Sequence, residues 1–84
     1  MNIEDKVREL IEPAITSNDF ILDSVKYERE GRTYFLRIVI DKVGVVDLED
    51  TVKVFHLVSP ILDANEPSDE AYILDVSSKE KGIE

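Results

Sequence analysis

Between Leu36 and Leu62 the spacing of apolar residues changes from every second position to every third or fourth, which demands a strand, a turn and a helix in succession. Leu36, Ile38 and Ile40 point one way while Arg37, Val39 and Asp41 point the other, as in a strand with one face on a core. Asp41-Lys42-Val43-Gly44 carries turn chemistry. Asp47, followed three residues later by Asp50, resembles a capping box with Asp where Glu or Gln is usual. From there Leu48, Val52, Phe55, Val58 and Leu62, flanked by Val54, Leu57 and Ile61, make one broad stripe that is expected to lie on the sheet.

The rest of the chain assembles on that platform. Ile3, Val7, Leu10, Ile11 and Ala14 predict a first helix, with Asn2 as N-cap and Glu4 and Asp5 suiting the helix dipole. Pro13 is expected to kink or weaken it, and Thr16-Ser17-Asn18-Asp19 to end it. Phe20 to Glu28 reads as a strand with a change of parity, since Phe20 and Leu22 share one face and Val25 and Tyr27 the other. A bulge near Asp23-Ser24 brings all four to the core. A two-residue loop at Glu30-Gly31 then places Tyr27 opposite Tyr34 and Val25 opposite Leu36. Pro60 bends the second helix or marks its last turn, Asp63 to Asp69 forms a loop, and Tyr72, Leu74 and Val76 alternate in a third strand.

The order α-β-β-α-β predicts an α+β two-layer sandwich, with both helices on one face of a three-stranded sheet. Its inward residues include Val25, Leu36, Ile38, Ile40, Leu74 and Val76. The third strand is expected to dock antiparallel beside the first, the alternative being a parallel crossover beside the second. At 84 residues this is one small domain. The chain has no cysteine, which excludes disulfides and thiolate metal sites and fits a reducing cytoplasm; its charged opening is neither a signal peptide nor a membrane span.

A net charge of -9 opposes independent binding to a phosphate backbone, and Lys26, Arg29, Arg32, Arg37 and Lys53 do not assemble a basic face. Acidity either serves solubility alone or suits a basic protein partner. His56 has no nucleophile at a recognisable spacing and reads as an exposed helix residue. Asp47, Glu49 and Asp50 suit capping rather than a cation site, because the EF-hand pattern is absent. Gly31, Gly44 and Gly82 are turn glycines, too far apart to cradle a phosphate. Phe35, Val39 and Ile73, beside Arg37 and Asp75, read as a half-exposed outer sheet face. No catalytic residue, cofactor or metal ligand is expected.

Several segments taken in order resemble the N-terminal domain of the bacterial ribosome maturation factor RimP. They are Leu10-Ile11-Glu12-Pro13, Leu36-Arg37-Ile38-Val39-Ile40-Asp41, Asp50-Thr51, Ser59-Pro60-Ile61-Leu62-Asp63 and Tyr72-Ile73-Leu74-Asp75-Val76-Ser77-Ser78. The resemblance implies a KH-like fold without the GxxG loop that clamps nucleic acid. It also implies a cytoplasmic, non-enzymatic factor assisting assembly of the small ribosomal subunit through a basic ribosomal protein and nearby ribosomal RNA. The family usually continues after Ser78 with Pro-Gly and a linker to an Sm-like barrel. Here Lys79-Glu80-Lys81 intervenes and Gly82-Ile83-Glu84 resembles the family's glycine-hydrophobe-acid step, so residues 1–78 are expected to be an isolated or truncated domain and 79–84 a tail or linker start.

On this reading the protein is a monomer without strong RNA binding of its own, docking a basic ribosomal protein through Asp41, Asp47, Glu49, Asp50, Asp63 and Asp75. The alternatives from the residues are a small-molecule-sensing regulatory domain and a generic protein-interaction domain of the same fold.

Overall fold

The computed structural model describes residues 2–79; the expected tail from Glu80 onward, Gly82 included, lies outside them. Five elements follow one another: α1 (Ile3–Ser17), β1 (Ile21–Glu30), β2 (Thr33–Asp41), α2 (Leu48–Asn65) and β3 (Tyr72–Ser78). They form an α+β fold with a three-stranded mixed sheet in the order β1-β2-β3. Val7, Ile11 and Ile15 of α1 and Val54, Val58 and Leu62 of α2 meet Val25, Leu36, Ile38 and Ile40 in a single core.

Local chemistry explains most boundaries. Asn2 Oδ1 accepts from the Asp5 amide at 2.8 Å and caps α1. Neither proline ends its helix: α1 runs past Pro13 to Ser17, and α2 past Pro60 to Asn65. Both prolines face solvent, so the carbonyls they leave without a helical donor can be hydrated. Glu66 then adopts a left-handed conformation (φ 38°), its amide donating to the Leu62 carbonyl at 2.9 Å, and Pro67 follows. No helix of the described residues is long and apolar enough to cross a membrane.

The bulge in β1 is where the parity change requires it, between Leu22 and Ser24, and it leaves Phe20, Leu22 and Val25 buried together. The hairpin differs from expectation. Glu30 pairs with Thr33, so the loop is Gly31-Arg32; Tyr27 lies opposite Leu36 and Val25 opposite Ile38. Gly31 takes the first loop position with φ 63°, and this slip by two residues keeps every side chain on its expected face. The Tyr27 and Tyr34 rings still stack, diagonally, with centroids 5.2 Å apart.

Two further expectations are corrected. β3 pairs with β2, not β1, and runs parallel to it, Leu36 opposite Leu74 and Ile38 opposite Val76. α2 returns the chain along the sheet so that β3 starts level with the start of β2, while the outer edge of β1 is taken by α1. Second, the buried line of α2 is Val54, Val58 and Leu62; Leu48, Val52 and Phe55 are 78%, 47% and 37% exposed. The apolar arc is wider than three strands can cover, and packing against α1 as well as the sheet favours its Val54 side.

Candidate protein-binding surface

The connection from β2 to α2 is built by carboxylates. Asp41 Oδ1 accepts from the Lys42 amide at 2.8 Å, and Lys42 Nζ meets Asp50 Oδ2 at 2.7 Å. Asp50 also closes the capping box: its amide donates to Asp47 Oδ1 at 2.9 Å, and its Oδ2 accepts from the Asp47 amide at 3.1 Å. The Lys42 ammonium and then the Asp47 amide hold the Asp50 carboxyl below the usual carboxylate range, and Asp50 raises Lys42 in return. Glu49 is exposed in the first turn of α2. Among these acids Val43, Val45 and Leu48 stand 96%, 80% and 78% exposed. Asp41, Asp47, Glu49 and Asp50 are thus brought to one end of the domain together with uncovered apolar side chains.

Asp63 and Asp75 stand elsewhere. Asp63 is at the far end of α2, about 24 Å from Asp47 at the helical rise of about 1.5 Å per residue. It lies near Tyr72, whose hydroxyl is pushed up first by burial and then by the Asp63 charge. Asp75 is on the outer sheet face, 3.8 Å from Arg37 Nε. Arg37 also meets Glu28 and Glu30 at 2.8 Å each and lies 4.9 Å from the centre of the Phe35 ring, so charges cover much of this face.

Between α2 and β3 run two adjoining hollows that share Phe55 and Leu74. One, of about 440 Å³, reaches Asp63, Glu66, Asp69 and Glu70; the other, of about 320 Å³, is bordered by Val52, His56, Asp75 and Val76. His56 is exposed on α2, its ring 5.9 Å from that of Phe55. Among the described residues no three His, Cys, Asp or Glu side chains gather as a metal ion would need. The arrangement offers charge and apolar surface for binding.

Periodicity missed the uncovered residues because it assigned Leu48, Val52 and Phe55 to the core and Val43 to a turn. The available signal was the apolar density of Val43, Val45, Val46 and Leu48, unusual in a connecting segment whose turn chemistry needs only Asp and Gly. Residues 10–83 match the family model described as the RimP N-terminal domain.

Proposed function

Because the chain belongs to the RimP N-terminal domain family, a family of ribosome maturation factors, we propose that it assists assembly of the small ribosomal subunit by docking a basic ribosomal protein. The observation that carries this reading is the joining of Asp41, Asp47, Glu49 and Asp50 with exposed Val43, Val45 and Leu48 at one end of the domain. Acids select a basic partner and speed its encounter, while the apolar side chains add the area that charge alone does not supply. Asp63 and Asp75 lie outside this cluster: Asp63 extends the negative field along the α2–β3 side, and Asp75 stands on the outer sheet face beside Arg37. The protein acts as a cytoplasmic monomer and holds RNA weakly by itself, since a net charge of -9 repels phosphate.

The test is association with purified basic small-subunit proteins across a salt series. Binding is expected at low salt, weakening as the screening length falls to about 8 Å near physiological ionic strength. Asp47→Asn with Glu49→Gln, which keeps a capping side chain, should slow association. Absence of binding at low salt, or rates unchanged by neutralising these acids, overturns the proposal.

A further inference from the structure

The two edges of the sheet are treated differently. Along β1 the Tyr27 amide, directed away from β2, donates to Glu4 Oε2 at 2.8 Å. Arg8 reaches the carbonyls of Leu22 and Asp23 at 3.5 and 3.4 Å, and the bulge interrupts the same edge. Side chains of α1 and an irregular backbone thereby block β1 against further pairing. Among the described residues β3 has a strand neighbour on one side only and shows no bulge against β2.

Its register states which groups are open. The Lys79 amide donates to the Ile40 carbonyl at 2.7 Å, so with strand alternation Ile73, Asp75 and Ser77 address β2. The amides and carbonyls of Tyr72, Leu74 and Val76 therefore face outward along the free edge. Beside them is the groove in which Val52, Phe55, Leu74 and Val76 remain partly uncovered. Among the described residues, those lining the two hollows include Asp63, Glu66, Asp69 and Glu70 and no lysine or arginine, while Asp75 borders them with its carboxylate on the outer sheet face beside Arg37.

We propose that the free edge of β3 accepts an extended basic segment of a partner protein as an added strand. Apolar side chains at alternate positions of that segment fill the groove between α2 and β3, and its lysines or arginines meet the acids along it. Backbone pairing fixes the extended form, the groove selects the apolar side chains, and Asp63, Glu66, Asp69 and Glu70 set the sign of the charge. A second copy of this chain meets the edge with like charge, which disfavours it as the occupant. The inference rests on the reading that the partner is basic and adds the way in which it is held.

The probe is a short peptide alternating lysine and valine, compared with a peptide of the same composition whose valines are grouped, both titrated against the 84-residue chain. The alternating peptide should bind at least about tenfold more tightly. It should slow exchange of the Leu74 and Val76 amides and leave Asp75, already in the ladder, unchanged. N-methylation of every second amide of the peptide should abolish binding in one register and not in the other. Equal binding of both peptides, or equal effects of both methylation registers, overturns strand addition while leaving charge-driven docking of a ribosomal protein intact. Strand addition by the peptide, with no association of purified basic ribosomal proteins, leaves this inference standing and removes the ribosomal reading. Concentration-dependent dimers that protect Leu74 and Val76 assign the edge to a second copy and overturn the basic segment as occupant.

Discussion

Lys42 Nζ lies 2.7 Å from Asp50 Oδ2, so the segment leaving β2 is held to the first turn of α2 by the same carboxylate that completes the capping box. Because Asp50 titrates below its unfolded value, its contribution is present above about pH 3.9 and is lost as pH falls through the lower folded value. Lys42 titrates above its unfolded value, so its contribution is complete below about pH 10.4 and is lost as pH rises through the higher folded one. Asp50→Asn should therefore make the acid limb of urea stability against pH shallower, and Lys42→Met should flatten both limbs. Limbs unchanged in both variants remove the clamp.

Asp47 accepts the Asp50 amide as an N-cap. Asp47→Asn should be nearly silent because Asn caps about as well, whereas Asp47→Ala should cost roughly 0.5–2 kcal/mol. Thermal melts of the two variants decide it. A rise in melting temperature with calcium or magnesium that both substitutions abolish reverses the assignment to a cation ligand.

Leu48 and Leu62 are one residue type on one helix, 78% and 1% exposed. Leu62→Ala should cost about 2–5 kcal/mol through lost burial and a residual cavity. Leu48→Ala should change stability by no more than about 0.5 kcal/mol. Similar losses in urea denaturation restore Leu48 to the core. The same reasoning puts Ile38→Ala, at a fully buried site between β1 and β3, at about 2–5 kcal/mol.

Glu4 stabilises the β1 edge through the Tyr27 amide. Glu4→Gln retains an acceptor and should be mild, while Glu4→Ala should cost about 1–2 kcal/mol, in the range of hydrogen bonds to charged groups allowing for partial exposure. Amide exchange at Tyr27 should quicken in the alanine variant. An unchanged rate removes Glu4 as the cover of that edge.

Alternation at Leu36, Ile38 and Ile40, the parity change between Leu22 and Val25, and Asp47 with Asp50 were legible because each depends on residues near one another in sequence. The hairpin register was not, since Gly31 satisfies either loop placement and both leave the same side chains inward. The choice of β2 as the partner of β3 depends on how α2 crosses the sheet, which apolar spacing does not encode. The exposure of Leu48, Val52 and Phe55 was hidden for a related reason. A stripe records which residues are apolar, and the width of the sheet decides how many of them it covers. The acids Asp41, Asp47, Glu49 and Asp50 gather because they flank one turn, whereas Asp63 and Asp75 are separated from them by the length of α2 and by the two faces of the sheet.

The parallel pairing of β2 with β3 also sets an order in time. β1 and β2 are joined by a tight turn and can zip as soon as both exist, but Leu36 must wait for Leu74, beyond the whole of α2, before the sheet gains its third strand. During synthesis from the ribosome, residues 72–78 emerge after α2, so the nascent chain carries β2 with a bare side for as long as α2 is being made. Closing that side is the slow step expected of this topology, and any segment able to pair with a strand competes there first for β2 itself.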